Sequence, residues 1–342
     1  MRTLANLVVV SLFSAALVLA QDKSWFDGNT GAPPSAVVKA PALKGAPKPE
    51  PPVPADLKSA SGRWSNAVQA GRIAPAGPEE TFSIAVIGDA EPGRFPWERV
   101  FSPGKDAFAR QMKAIQGMSP RAVVQLGDFV SKGTADNYRA HVAFLDQQVT
   151  VPLLTVIGNH DRSAANSAGT ETLFNAVVGP GDFYTDVGAW RLILLDSSAR
   201  RVAPGQLKWL EEALKAGRRS IIFTHVPPSF LKGVLAVPEP VQTEGYNPFE
   251  GYFEEGSGEF GQLMERYKVA RVYMGHLHAF SHARYHGVAY VLTGGGGSPL
   301  YPMPHPYPST KFAHFILTEL GPKGVVRETV YKLDGGTIPL EP

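Results

Sequence analysis

The chain has 342 residues, 44% of them hydrophobic, enough for one sizeable core or two small ones. Lys and Arg total 33 against 31 Asp and Glu, so the formal net charge is +2. This balance gives no electrostatic footprint for nucleic acid, but it leaves an anionic substrate open, because a metal site supplies its own positive charge. Cysteine is absent, which excludes disulfide scaffolds, thiolate zinc sites and cysteine nucleophiles. Any transition-metal site must therefore use His, Asp, Asn or Glu.

Arg2 precedes an apolar run, Leu7 to Ala20, which turns polar at Gln21-Asp22-Lys23. A basic start, a short apolar stretch and small residues before a polar break read as a signal peptide over 1–20, cleaved after Ala20. The protein is then expected to be exported, periplasmic or secreted. The run is too short for a comfortable membrane span, which takes roughly 20 apolar residues, so no span is expected after cleavage. Residues 21–78 read as a Pro/Ala-rich linker or N-terminal arm. Within them the segment KAPALKGAPKPEPPVPA favours an extended polyproline conformation, while residues 56–78 are ambiguous and Trp64 has the bulk to pack.

From about residue 79 to 335 the texture is that of a folded domain, followed by a short tail over 336–342. Seven apolar runs rich in β-branched residues predict buried strands, at 82–88, 122–127, 151–158, 190–196, 220–224, 270–275 and 288–297. Helices are expected at 105–117, 135–147, 205–216 and 259–267. In the third, Leu207, Leu210 and Leu214 share one helical face. Residues 311–320 and 324–333 read as a terminal hairpin. Strands alternating with helices imply a layered α/β domain.

Polar residues gather at the strand ends. Asp89 follows the first strand and Asp128 the second; Asn159, His160 and Asp161 follow the third. His225 ends the fifth, and His276 and His278 follow the sixth. Carboxyl ends of strands in α/β sheets are where ligands gather. Singly, an Asp after a strand glycine is often only a turn residue or a cap, and a lone His is more often packed than ligating. Their common placement at strand ends argues for one crevice.

The segments GDAE, GDFVSKG, GNHD, FTHVPP and GHLH resemble the five blocks of the calcineurin-like metallophosphoesterase superfamily, over roughly residues 82–300. GQLKWLEEAL and TGGGGSPL are also similar to segments of its acid-phosphatase-like branch. The resemblance implies a four-layer α/β/β/α sandwich of two mixed sheets with two divalent or trivalent metal ions (Mn, Fe or Zn) at its rim. Asp128 would bridge the metals, Asp89 and His278 would hold the first, and Asn159, His225 and His276 the second. His160 would stand beside the substrate and assist the leaving group. The implied reaction is hydrolysis of a small phosphate ester, monoester or diester, by a metal-bound hydroxide. The alternative is a catalytically weak or inactive binding protein of the cell envelope, with protein partners unassigned.

The first block departs from the family's Asp-x-His, because Glu91 stands at the His position. Glu91 is open to three readings: a carboxylate ligand, a holder of a metal-bound water, or the mark of a weak or absent first metal. Purple acid phosphatases place a Tyr three residues after the Asp of the second block; Ser131 is there in this chain, so the iron-tyrosinate type is not expected. Asp161 either orients His160 or caps the following turn. The glycine run 294–297 either lets backbone approach the site or makes a tight turn.

Overall fold

The computed structural model describes residues 52–91, 106–163, 169–232, 234–235, 251–300 and 311–341. The expected signal peptide, the polyproline stretch up to residue 51 and the loop containing Arg94 lie outside these residues. Among the described residues, no helix is long and apolar enough to cross a membrane.

Twelve strands are described: β1 Phe82–Ile87, β2 Ala122–Gln125, β3 Leu153–Thr155, β4 Phe183–Val187, β5 Trp190–Leu195 and β6 Arg219–Thr224; then β7 Arg271–Met274, β8 Phe280–Tyr285, β9 Val288–Thr293, β10 His314–Gly321, β11 Gly324–Lys332 and β12 Thr337–Leu340. They form two six-stranded mixed sheets, ordered β12-β11-β10-β1-β2-β3 and β4-β5-β6-β7-β9-β8. In the first sheet β1, β2 and β3 run parallel. In the second, β5, β6, β7 and β9 do. Helices are α1 Ala55–Trp64, α2 Asn66–Arg72, α3 Ala107–Gly117, α4 Ala135–Gln148, α5 Thr172–Val177, α6 Pro204–Leu214 and α7 Ser257–Arg266.

The strands are apolar on both faces, and the side-chain period of two sorts each face into a different core. On β1, Ile84 and Val86 enter a core shared with Leu192, Leu194, Ile221 and Phe223 of the opposite sheet. Ala85 and Ile87 turn the other way, toward Met112, Ile115, Tyr138 and Phe174 of the helices. On β6, Ile222 packs outward with Leu210, Leu214, Phe260 and Met264. Three stacked cores separated by two sheets make the four-layer α/β/β/α sandwich.

Of the linker and arm alternatives for residues 21–78, the described part fits the arm, and the domain boundary expected at about 79 needs correcting. Residues 55–72 form two helices that belong to the folded domain. Leu57, Ala60 and Trp64 of α1 are buried in the helix-side core, and the Trp64 indole N–H donates to Asp146 at 2.7 Å. Helix α2 closes an edge: the Asn66 amide donates to the Thr155 carbonyl at 2.9 Å and accepts from the Thr155 N–H at 2.8 Å. Gln69 accepts from the Leu153 N–H at 3.0 Å. These amides occupy the free backbone groups of edge strand β3.

The expected tail over 336–342 also needs correcting. Residues 337–340 are a strand paired antiparallel with β11, with Pro339 opposite Thr329. Proline tolerates this place because an edge strand leaves one side of its backbone unpaired. Strands β4 and β8 escaped the sequence pattern. Both are sheet edges with partly exposed polar positions such as Asp186, His282 and Arg284, so neither shows a continuous apolar run.

Candidate metal centre

Five strand-end turns meet at one rim, and both sheets contribute. Asp89, Asp128 and Asn159 come from the ends of β1, β2 and β3; His225, His276 and His278 come from the ends of β6 and β7. All six are buried. The backbone turns sharply to aim them: Asp89, Asp128 and His276 have φ of 47°, 48° and 70°. This left-handed region costs non-glycine residues of order 1–3 kcal/mol and persists where the surroundings over-determine it. Gly275 shows the crowding, since a Cβ there would lie 2.6 Å from an Asp89 carboxylate oxygen.

Two groups of donors form. Asp128, His225 and His276 present ligand atoms all within 4.8 Å of one another, as do Asp89, Asp128 and His278. Asp128 is common to both. Asn159 Oδ1 stands 3.0 Å from His225 Nε2 and so belongs beside the first group. His225 Nε2 is 3.3 Å from Asp128 Oδ2, and His278 Nε2 is 3.6 Å from Asp89 Oδ1.

The supporting contacts fix which ring nitrogens face inward. The Leu126 carbonyl lies 2.7 Å from His225 Nδ1, and the Pro299 carbonyl lies 2.8 Å from His278 Nδ1. A carbonyl accepts, so each Nδ1 carries the proton and each Nε2 keeps its lone pair for the centre. Sequence patterns miss these partners, because a backbone carbonyl leaves no residue signature. The Asp89 carboxylate accepts the His276 N–H at 2.9 Å, tying β1 to β7 across the sheets.

The electrostatics suit a cation. Burial, reinforced by the Asp128 charge, pushes Asp89 well above the usual carboxylate range, against the pull of His225. Burial works the same way on Asp128, but His225 and His160 outweigh it and hold that carboxyl low. Burial would lower His225; Asp128 and Asp89 instead raise it to about 10. The carboxylates thus draw positive charge, which a proton or a metal ion can provide. Burial keeps His276 neutral, with the His225 and Arg200 charges adding to it and Asp128 opposing. Burial also lowers His278 to about 4, against the Pro299 carbonyl. Neutral imidazole is the ligating form. His276 Nδ1 is buried with no hydrogen-bond partner, as suits a nitrogen that completes its contacts with a metal. Carboxylate, amide oxygen and imidazole together fit Mn, Fe or Zn.

The other expected site residues fall in different places. Asp161 does not reach toward His160. Its carboxylate accepts four backbone N–H groups: Asp128 at 2.9 Å, Phe129 at 3.0 Å, Val130 at 3.2 Å and Gly158 at 2.7 Å. It therefore binds the Asp128 turn to the Asn159 turn. Glu91 belongs to neither donor group; its Oε2 lies 2.9 Å from His160 Nδ1. The glycine run allows close approach, since a Cβ on Gly296 would meet the Gly88 carbonyl at 1.8 Å.

The sequence reading missed Arg162, directly after the Asn-His-Asp block. It is buried, donates to Ser198 at 2.9 Å and pairs with Glu171 at 3.0 Å. The signal available was an arginine adjoining a ligand turn, which by itself does not distinguish a brace from a solvated charge. Beyond β6, Tyr252 and Phe253 lie inside the outer core, where Phe253 meets Phe260 edge-on at 5.9 Å. Those two rings pack; Tyr246 and Phe249 lie outside the described residues.

Buried carboxylates and imidazoles thus gather at strand ends on the rim of two stacked mixed sheets, as a donor set that could hold metal ions. Comparison with known families agrees: the calcineurin-like phosphoesterase family matches residues 82–280. The chain belongs to that family. Its fold is similar to that of purple acid phosphatase PPD1 from yellow lupin (Lupinus luteus), with a TM-score of 0.59 and 18% identity, covering 78% of this chain and 54% of that one. The chain thus spans about half the length of the lupin protein. It is also similar to GAP50, the anchor in the inner membrane complex of Plasmodium, with a TM-score of 0.50 and 14% identity, covering 76% and 89% of the two chains. Comparison with curated protein sequences gives no match. At these identities the structural likenesses speak for the fold. The family match supports a phosphoesterase in general.

Proposed function

We propose that the protein hydrolyses a small phosphate ester, monoester or diester, at a two-metal centre. The observation that carries this reading is the pair of donor groups sharing Asp128. In this reading Asp89 and His278 would hold one cation and Asn159, His225 and His276 the other, with Asp128 common to both donor groups. Bound cations supply Lewis acidity toward the phosphoryl oxygens and acidify a water nucleophile. The chain's own part is to present these donors already desolvated and oriented. The Leu126 and Pro299 carbonyls hold the imidazoles. Asp161 clamps the turns that carry Asp128 and Asn159. His160 is buried at the same rim, with its backbone N–H on Asp128 Oδ1 at 2.8 Å. To it we assign the assistance of the departing oxygen.

The test pairs elemental analysis of the purified protein with a panel of aryl mono- and diesters. The expected result is about two metal equivalents and turnover on at least one ester, with His160→Ala abolishing turnover while metal stays bound. Full metal content with no turnover on the panel would instead favour an inactive binding protein. We also propose export, on the run from Leu7 to Ala20. N-terminal sequencing of the mature protein is then expected to begin at Gln21; retention of Met1 would refute cleavage.

A further inference from the structure

Glu91 and His160 are both buried, 2% and 3% exposed. Glu91 Oε2 lies 2.9 Å from His160 Nδ1. The Ser131 carbonyl lies 3.2 Å from the same nitrogen. The Ser131 carbonyl accepts, so Nδ1 carries the proton, and the Glu91 carboxylate stands beside it at ion-pair distance. One residue holds the two in register: the Glu91 N–H donates to the Asp128 carbonyl at 2.9 Å, and the His160 N–H donates to the Asp128 carboxylate at 2.8 Å. The other nearby carboxylate, Asp161, is taken up by four backbone N–H groups. Neither donor group of the metal centre includes Glu91.

We infer that Glu91 is a positioning residue for His160 and not a metal ligand. Its carboxylate, held 2.9 Å from Nδ1, sets negative charge beside the ring and fixes its orientation, while Nδ1 donates to the Ser131 carbonyl and Nε2 is left as the nitrogen that meets substrate. An imidazole braced by a buried carboxylate on one nitrogen and working with the other is a recurring arrangement in hydrolytic sites. The part that concerns substrate rests on the phosphoesterase reading; the place of Glu91 does not.

The experiment uses the zinc-loaded protein and the variants Glu91→Leu, which removes the carboxylate, and Glu91→Gln, which keeps a polar group of the same shape without the charge. Three quantities are read: zinc per chain, the Nδ1 proton resonance of His160 (assigned by its loss in His160→Asn), and kcat against KM. Zinc content is expected to stay at the wild-type value in both variants. The Nδ1 resonance is expected to move upfield in Glu91→Leu and less in Glu91→Gln. In Glu91→Leu kcat is expected to fall roughly hundredfold with KM little changed, the scale typical of a lost proton-transfer group, and Glu91→Gln recovers part of it. Loss of one zinc equivalent in both variants, or an unmoved Nδ1 resonance in Glu91→Leu, would overturn the inference. A wild-type protein that cleaves no ester would overturn the functional reading alone, since the zinc and resonance measurements still decide where Glu91 acts.

Discussion

At the scale of single residues, the site depends on groups that never touch a metal. Asp161 is the clearest case. Burial and the Asp128 charge push its carboxyl up to about 8, with the backbone donors acting the other way. Asp161→Ala would leave four buried N–H groups without their acceptor. Each unsatisfied group costs of order 1–3 kcal/mol before relaxation and water entry. The expected outcome is a clear loss of stability together with weaker metal binding, measured by denaturant unfolding and zinc titration. Unchanged zinc affinity would show that the Asp128 and Asn159 turns hold their geometry alone. The donor residues that meet at the rim were readable from sequence, because Asp, Asn and His after apolar runs are written in residue identity. The carbonyls of Leu126 and Pro299 were not, and neither was the position of Glu91. In sequence Glu91 is two residues from Asp89; in space its carboxylate faces a histidine 69 positions further along the chain.

At the scale of elements, the strands and the longer helices were readable because their apolar period is strong. Helices α1 and α2 were hidden by their neighbourhood. They follow a proline-rich stretch, and α2 contributes two buried amides, Asn66 and Gln69, where an amphipathic pattern would have apolar residues. Strands β4, β8 and β12 were hidden by being edges. Trp64 tests whether α1 is integral. It is buried and hydrogen-bonded to Asp146. Trp64→Ala is expected to cost about 3–5 kcal/mol, the usual range for emptying a large aromatic site. Urea unfolding measures it, and a loss below about 1 kcal/mol would show that α1 only rests on the domain. A truncation that spares the core must accordingly end at or before residue 51.

At the scale of the whole molecule, the centre joins two sheets that elsewhere meet through apolar packing and a few buried polar contacts, such as Arg271 with Glu328 and the Trp190 indole N–H on the Gly321 carbonyl. Metal bound to the native state but not to the unfolded chain stabilises by about 2.7 kcal/mol at a hundredfold excess over Kd. Chelation is therefore expected to lower Tm, and zinc, manganese or iron to restore it; an unchanged Tm would mean that the centre contributes no cross-sheet stability. Acid acts at a second place. His314 is fully buried, with Nδ1 2.9 Å from the Phe312 carbonyl and Nε2 3.0 Å from the Thr293 hydroxyl. Burial lowers its pKa to about 4, against the Phe312 carbonyl. A depressed histidine favours the neutral form in the fold. Its contribution is complete above the unfolded value of about 6.5 and is lost as pH falls toward 4. His314→Gln is expected to flatten the decline in stability over that window, measured on the chelated protein so that metal release does not contribute.

The amides of α2 have a consequence for how this molecule meets its own copies. An open strand edge is a template on which another chain can add a strand and begin aggregation. Here Asn66 and Gln69 already occupy the exposed backbone of β3, and at the opposite border of the same sheet Pro339 interrupts the row of donors. The sheet that carries Asp89 and Asp128 is thus closed to strand addition on both sides. Asn66→Ala combined with Gln69→Ala would reopen one border, and concentration-dependent self-association seen by sedimentation would follow. A double variant that stays monomeric wherever the parent does would show that crowding by the helix, without its amides, is enough to keep other chains away.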